Sequence, residues 1–413
     1  MKTISRKFMA LMLASAAVAT LATPAMAQRN KQEEAAKPKP PKLSKPVAAA
    51  LAAAQKMQAA GDNAGSLAKI AEAEAVPNPN EDDVYFIQAI KLNAAIALKD
   101  NAIIETTLGK MLATGRVSAT DTPKFLQTIG SLALARKDYP TATNAFERLV
   151  AAKPGDGEAL IGLAELYNAQ KQTSMAVDTI GKAVAANKAA GVAVPENWYR
   201  RQLALAYDGK LGAVVQSAAL ALVGAYPTAV NWRDALVITR DSFKLDDQGS
   251  LDFMRLQAAT GSLNGERDYV EYADTALGRG FPGEAKRALD EGIAKSMLEP
   301  GKPLVKELKT TADSKAAADR AGLPALEKEI KGNGRLALAT GDAYYGFGDY
   351  AKAATLYKMA VGATAVDQPT ANLRLGAALA RAGDKAAAAE AFKAVKGGPR
   401  ETLAQYWLAH IGA

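Results

Sequence analysis

One sequence pattern occurs twice between residues 123 and 188, and it limits the possible folds more than any other feature. The first copy consists of Leu126, Ile129-Gly130, Ala133, Tyr139, Ala142, Phe146 and Leu149. The positions 34 residues later are Leu160, Leu163-Ala164, Tyr167, Thr173, Ala176, Ile180 and Ala183. A fixed period of this length is typical of stacked structural units, which bury their apolar faces only against neighbouring units.

Each copy contains two apolar stripes with helical spacing. In the first copy, one stripe begins at Leu126 and the second begins at Ala142. The polar segment 137–140 separates them and predicts a turn, with Pro140 at the start of the second helix, where a missing N–H costs nothing. Gly130 and Ala142 are small enough for two helix backbones to cross closely, and Phe146 is expected to fill the space beside the crossing. Each copy is therefore predicted to form a helical hairpin.

This spacing resembles the tetratricopeptide repeat, which places a Leu-Gly pair, a Tyr, a small residue, an aromatic residue and a Pro at these offsets. Leu126 and Leu160 replace the aromatic residue that usually opens the motif, and Ala164 replaces the Gly in the second copy. The resemblance implies an all-α fold, a TPR-like α-solenoid. It further implies a right-handed superhelix of about ten hairpins, whose concave surface binds a protein or peptide and whose last apolar face is covered by a capping helix.

The chain divides into seven predicted segments. They are a signal peptide at 1–27, a basic Pro/Lys-rich tether at 28–46, degenerate hairpins at 47–122, two clear repeats at 123–190, degenerate hairpins at 191–333, two clear repeats at 334–400, and a capping helix at 401–413. Within the second degenerate segment, residues 300–333 fit the pattern least. They are predicted to form one polar helix from Leu304 to Arg320 and a shorter helix from Leu323.

The N-terminus predicts export. Basic residues precede an apolar run from Phe8 to Ala22, and a small-x-small site ends at Ala27, so cleavage is expected between Ala27 and Gln28. No later apolar run reaches the ~20 residues that a membrane span needs. We therefore expect a periplasmic protein without a transmembrane segment after cleavage, with secretion as the alternative.

The positive charge is concentrated at the N-terminus. The chain has 51 basic and 43 acidic residues and a formal charge of +8. Three positive charges lie in the leader, and the tether carries six basic and two acidic residues, so the remaining body is close to neutral. This distribution argues against a nucleic-acid partner. The tether itself is expected to be a solvated spacer, with a weak contact to the cell envelope as an alternative.

Composition and motifs argue against an enzyme. The chain has no Cys and one His, His410, which excludes metal sites built on these residues. No phosphate-binding Gly-rich loop is present, and Ser66-x-x-Lys69 lacks the companion motifs of penicillin-binding enzymes. No cofactor is expected. A hydrolase remains an alternative that would need a deep pocket with paired acids of perturbed pKa.

The candidate binding residues are those expected to point away from the second helix of each hairpin, into the concave groove. They are Lys124, Gln127, Ser131, Glu158, Glu165, Asn168, Arg335, Asp342, Tyr345 and Arg381. Each could instead be an ordinary solvated residue. Some relatives bind a partner's C-terminal carboxylate through Lys and Asn residues, but Ser131, Glu165 and Asp342 occupy the Asn positions here, so that partner class is not supported.

The resulting functional hypothesis is a non-enzymatic scaffold or adaptor that binds a protein or peptide in the periplasm or cell envelope. The alternative is a glycan-binding accessory subunit of a polysaccharide export or cell-wall machine. That alternative requires exposed aromatic side chains on the groove, for which the candidates are Trp198, Tyr199, Trp232 and Tyr345.

Overall fold

The computed structural model describes residues 42–242 and 247–413, and this part of the chain forms twenty α-helices and no strand. The predicted signal peptide, its cleavage site and residues 28–41 of the tether lie outside the described residues. None of the described helices combines the length and the apolar character that a membrane crossing requires. The helices are α1 (Lys45–Ala59), α2 (Asn63–Glu74), α3 (Glu81–Leu98), α4 (Asn101–Ala113), α5 (Thr122–Ala135), α6 (Tyr139–Ala152), α7 (Gly157–Ala169), α8 (Thr173–Ala189), α9 (Glu196–Asp208), α10 (Gly212–Ala225), α11 (Ala229–Ser242), α12 (Asp247–Thr260), α13 (Glu266–Gly278), α14 (Pro282–Ala294), α15 (Pro303–Glu329), α16 (Gly334–Gly346), α17 (Tyr350–Ala360), α18 (Gln368–Ala382), α19 (Lys385–Lys393) and α20 (Gly398–Ile411).

A recurrent tight turn forms the hairpins. In eight helix pairs one turn residue has positive φ, and these residues are Gly61, Lys99, Lys137, Lys171, Lys210, Gly280, Gly348 and Gly383. In several pairs the next residue is an Asp whose carboxylate accepts a hydrogen bond from the first turn of the following helix, as Asp100 does from Ile103 and Asp138 from Thr141. Left-handed backbone ends one helix, and the Asp cap starts the next.

The two helices of a pair cross closely where small residues lie, which confirms that these residues make room for the crossing. A Cβ atom at Gly130 would lie 2.9 Å from the Phe146 ring, and one at Gly376 would lie 2.5 Å from the Phe392 ring. Ala142, on the opposite side of the first crossing, is fully buried. Each pair also packs against the next, which gives the all-α solenoid expected from the repeat.

Ala142→Arg is expected to destabilise the protein by about 3 kcal/mol or more, because the crossing has no space for the side chain and no partner for its charge. Chemical denaturation measures this loss. Asn144→Arg is the matched control, since Asn144 lies on the same helix and is exposed. Equal stability of both variants would show that Ala142 does not lie at a crossing.

The segment 303–329 departs from the prediction. It forms the single helix α15, which continues through Pro324, whereas the sequence pattern predicts two helices. Buried residues at helical spacing, from Val305 through Ala312 to Leu323, occur on both sides of the predicted break. This continuous stripe packs against α13, α14 and α16, which offsets the local cost of the proline. The described helices therefore form nine pairs plus the single helices α15 and α20, which is close to the expected count of about ten hairpins and a capping helix.

The last helix does more than cap the array. As predicted, α20 packs on the preceding pair, where Trp407 stacks on Phe392 with ring centroids 5.6 Å apart. It also packs on α10 and α12, far earlier in the chain. There, the Gln216 amide donates to Thr402 Oγ1 at 3.0 Å. The C-terminal end of the solenoid thus closes onto its middle.

The described end of the predicted tether is part of the fold. Helix α1 begins at Lys45, so the last two positions of the predicted tether are helical. The Lys42 and Ser44 N–H groups donate to the carboxylates of Asp82 and Asp83 at 2.7 and 2.8 Å. These bonds tie the chain before α1 to the N-terminus of α3.

Candidate functional site

Five buried charged residues form a network inside the C-terminal half, which we call the inner network. Its members are Asp252 and Arg255 of α12, Glu284 of α14, Asp342 of α16 and Arg374 of α18, each no more than 4% exposed. Arg255 binds Glu284 through two hydrogen bonds of 2.8 and 2.7 Å. Arg374 donates to Asp342 at 2.7 Å and to Asp252 at 2.8 Å.

The remaining contacts of the inner network join its two halves. Arg255 also donates to Asp342 at 3.0 Å, so Asp342 binds two guanidinium groups. Buried charges are tolerated only when they are paired and hydrogen-bonded, and here every member has such partners. The network links residues up to 122 positions apart in the chain, and it therefore fixes how α12 and α18 meet.

Two tyrosine hydroxyl groups donate further hydrogen bonds to the carboxylates of Glu284 and Asp342. Tyr272 donates to Glu284 at 2.6 Å, and Tyr357 donates to Asp342 at 2.7 Å. Burial raises the pKa of both tyrosines, and the adjacent carboxylates raise it further. Burial alone would raise the pKa of Glu284, but the guanidinium group of Arg255 outweighs it, and the pKa is lowered.

The inner network is therefore built to hold helices together. Glu284 stays ionised at neutral pH, which makes it a poor proton donor of the kind the hydrolase alternative requires. Within the described ranges, no group of three or more His, Cys, Asp or Glu residues is placed to hold a metal ion. The contacts that the inner network makes are ion pairs and hydrogen bonds.

Arginine and tyrosine side chains continue from the inner network to the surface, in a stack that we call the arginine–tyrosine column. Its members, from inside to outside, are Arg255, Tyr345, Arg287, Tyr350 and Arg381. The guanidinium carbon of Arg255 lies 4.6 Å from the Tyr345 ring centroid, and that of Arg381 lies 4.9 Å from the Tyr350 ring centroid. Arg287 lies between the two rings, 5.8 and 5.5 Å from their centroids. A cavity of about 130 Å³ adjoins the column.

A second cleft of about 370 Å³ lies on the other side of the inner network. Asp342 and Arg374 form part of its wall, and Arg279, Arg335 and Asp367 also line it. Two further clefts, of about 490 and 770 Å³, lie between α4 and α6 over α5. These two are mainly apolar, whereas the cleft beside the inner network is lined by charged groups.

The predicted binding residues divide into three groups. Six are exposed, namely Lys124, Ser131, Glu158, Glu165, Arg335 and Arg381, and Gln127 and Asn168 are half-buried. Asp342 and Tyr345 are 3% and 2% exposed, so the prediction that they are solvent-facing groove residues is wrong. Both are buried because α14 packs against α16, and the Arg255 side chain of α12 covers Asp342 and the Tyr345 ring. Asp342 nevertheless belongs to the inner network, and Tyr345 and Arg381 belong to the column.

The exposed aromatic groove required by the glycan alternative is not present at the predicted positions. Trp198, Tyr199, Trp232 and Tyr345 are all at most 4% exposed. Trp198 and Tyr199 fill the space between consecutive helix pairs, and Trp232 packs against Tyr406 of α20. These side chains contribute to the core. This overturns the glycan hypothesis as stated, because it required these four side chains to be exposed on the groove.

The sequence pattern does not single out four members of the inner network. Asp252, Arg255, Glu284 and Arg374 occupy ordinary positions in degenerate or repeat helices. A signal is nevertheless present, since Arg255 lies between Met254 and Leu256 in a segment of buried apolar residues. A charged residue inside such a stripe indicates a buried ion pair.

Two segments of the chain match tetratricopeptide repeat family models, residues 133–192 and residues 338–402. No curated protein sequence matches the chain. Among solved structures, the chain is similar to MamA (41-end) from Desulfovibrio magneticus RS-1, at 17% identity and a TM-score of 0.31, covering 49% of this chain and 100% of that one.

A tetratricopeptide repeat protein from Parabacteroides merdae is 15% identical, with a TM-score of 0.33, over 65% of this chain and 99% of that one. The TPR domain of P58(IPK) is 15% identical, with a TM-score of 0.21, over 82% of this chain and 98% of that one. The assignment of tetratricopeptide repeats rests on the two family-model matches, at residues 133–192 and 338–402.

Proposed function

We propose that the protein is a non-enzymatic scaffold that binds a protein or peptide partner in the bacterial periplasm or cell envelope. The observation that carries this proposal is the presence of tetratricopeptide repeats, a fold whose usual role is protein interaction. The apolar faces of the helices are used for stacking, and the central carboxylates are bound by arginine and tyrosine. Exposed helix surfaces and clefts are what remain for a partner.

The exported location rests on the sequence alone. The basic residues before Phe8, the apolar run to Ala22 and the small residues before Gln28 support a cleavable leader. N-terminal sequencing of the protein recovered from the periplasmic fraction is expected to begin at Gln28. Recovery of the uncut chain from the membrane fraction would contradict cleavage and favour an anchored form.

The binding proposal is tested by photo-crosslinking in cells. A crosslinking amino acid at Glu165, which is exposed on the first helix of its pair, is expected to capture one or a few defined proteins. The same probe at Glu147, exposed on the second helix of the preceding pair, is the matched control and is expected to capture them less efficiently. Capture of the same proteins with equal yield from both positions would contradict a partner bound on the groove side.

A further inference from the structure

The outer end of the arginine–tyrosine column has an unusual distribution of charge. The Arg287 and Arg381 guanidinium groups both donate to the single hydroxyl oxygen of Tyr350, with the Arg381 bond 2.9 Å long. The two positive groups therefore lie close together. Among the described residues, neither arginine forms a salt bridge with a carboxylate, although both have aromatic rings beside them. Glu284 acts on Arg287 from beyond salt-bridge distance, and Glu291, which is bound to Lys295, lines the same cavity. Like charges that converge in this way favour the binding of an anion between or beside them.

Two arginines and one tyrosine hydroxyl also converge at a second place in this chain, where they bind a carboxylate. Asp342, in the inner network, accepts hydrogen bonds from two arginines, Arg255 and Arg374, and from one tyrosine hydroxyl, Tyr357. At the surface, Arg287, Arg381 and Tyr350 supply two arginines and one tyrosine hydroxyl again. The Tyr350 oxygen accepts from both guanidinium groups, so its own proton is available to an incoming acceptor. The outer site repeats the donor set of the Asp342 site, and a carboxylate would complete it.

The position of this site suits a group that is carried by a partner. Arg381 is exposed, Tyr350 and Arg287 are half-buried, and the adjoining cavity of about 130 Å³ has room for a small side chain but not for a large ligand. The three residues come from α18, α17 and α14, so the site exists only in the folded array. Planar guanidinium groups bind carboxylates with two parallel hydrogen bonds, which gives geometric selectivity as well as charge attraction.

We infer that Arg287, Tyr350 and Arg381 form a docking site for a carboxylate side chain in an acidic segment of the protein or peptide partner. This inference rests on the proposed scaffold function and adds the chemistry of the partner. It gives Arg381 a direct contact with the partner, and it gives Arg287 and Tyr350 the role of holding the same carboxylate from its inner side.

The test is the binding of a fluorescein-labelled hexaglutamate peptide to the full chain, followed by fluorescence anisotropy at low salt, since exposed charges are screened at high salt. Hexaglutamine with the same label is the uncharged control. Arg381→Gln and Tyr350→Phe are each expected to weaken hexaglutamate binding about tenfold, because each removes a charge-assisted hydrogen bond. Arg381 is exposed, so its replacement is expected to leave the core intact and the melting temperature unchanged in a thermal melt.

Arg320→Gln is the matched arginine control. Arg320 also lies over an aromatic ring, Phe347, at 5.1 Å, but it is already paired with Asp349 at 2.9 Å. Its replacement is expected to change hexaglutamate binding less than about twofold.

Free glutamate is expected to displace the peptide only at far higher concentration, since it presents a carboxylate without the neighbouring contacts of a peptide.

Three results would overturn the inference: hexaglutamate binding no tighter than hexaglutamine, an equal loss in Arg320→Gln and Arg381→Gln, or free glutamate binding as tightly as the peptide. The scaffold function is judged separately. If the partner captured from Glu165 in cells is also captured by the Arg381→Gln protein with unchanged yield, the scaffold function stands and the carboxylate site is refuted. If no partner is captured by the wild-type protein, the scaffold function itself fails.

Discussion

Replacing Arg255 by methionine is expected to lower the free energy of unfolding by about 4 kcal/mol, the typical cost of removing one partner from a buried ion pair. Arg255 is 3% exposed and binds both Glu284 and Asp342. Methionine fills a similar volume but leaves these two carboxylates facing each other without the charge that holds them. Asp342 keeps Arg374 as a partner, so most of the cost arises at Glu284.

Chemical denaturation of wild-type and variant proteins measures this cost. Arg200→Met is the matched control, because Arg200 also pairs with two carboxylates, Glu196 and Asp234, but on the surface. Its replacement is expected to cost less than about 1 kcal/mol. In the double variant Arg255→Met/Glu284→Gln the losses are expected to be far from additive, since the buried charge is removed with its partner. Additive losses, or equal effects of Arg255→Met and Arg200→Met, would contradict a coupled buried pair.

The difference in stability between the wild-type protein and Arg255→Met is expected to depend on pH with a definite sign. In the wild-type protein the pKa of Glu284 is lowered, so the pair stabilises the fold above the ordinary glutamate pKa and loses that contribution as the pH falls through the lowered value. Without Arg255, burial raises the pKa of Glu284. As the pH falls, Glu284 of the variant is therefore protonated, and the destabilisation caused by its buried negative charge disappears. The stability gap between the two proteins is therefore expected to be largest near neutral pH and to shrink under acidic conditions. A gap that is constant with pH would show that packing, rather than charge, causes the loss.

The local architecture is predictable because its causes lie within one repeat. The spacing of apolar residues from Leu126 to Leu149 defines two helix faces, and Gly130 and Phe146 meet at the crossing that their sizes predict. The turn residue and its following Asp recur at the same place in several hairpins. Such features depend on contacts fewer than about 40 residues apart, which a periodic pattern encodes directly.

The candidate site is only partly predictable, because it depends on contacts between distant repeats. Arg374 and Asp252 are 122 positions apart, and nothing in the period of the repeat indicates that α12 and α18 meet. Arg381 is predicted to be exposed, and it is. The same rule fails for Asp342 and Tyr345, because it assumes an open groove, whereas helix α14 and the Arg255 side chain cover this part of α16. A charged residue in an apolar stripe, such as Arg255, is the signal that corrects this assumption.

Deleting residues 401–413 is expected to have a larger effect than any single substitution. The deletion removes most of α20, including the fully buried side chains of Tyr406 and Trp407 and the buried Leu403 and Ile411. Burial of four such side chains contributes on the order of 6–12 kcal/mol before the cost of ordering the helix is subtracted. That amount is comparable with the whole free energy of unfolding of a typical domain, about 5–15 kcal/mol.

The deletion is also expected to open the contact between the C-terminal repeats and the middle of the chain. The Tyr406 hydroxyl shares a 2.6 Å hydrogen bond with Thr239, and burial raises the pKa of Tyr406 to about 12, so the hydroxyl stays protonated at neutral pH. Without α20, the apolar faces around Phe392 and Trp232 become exposed. Exposed apolar faces of this size promote association, so aggregation is expected in size-exclusion chromatography, together with a lower melting temperature.

Two smaller changes separate the two roles of α20. Deleting only residues 412–413, which are exposed, is the matched control and is expected to leave stability nearly unchanged. Gln216→Leu removes the hydrogen bonds from α10 to Thr402 and Gln405 while leaving the stacking of Trp407 on Phe392 intact. If α20 acts only as a cap on the last repeat pair, Gln216→Leu has no effect on the melting temperature. If α20 also closes the solenoid, Gln216→Leu lowers it by a few degrees, because each lost hydrogen bond costs about 1 kcal/mol. A soluble monomer of wild-type stability after deletion of 401–413 would contradict both roles.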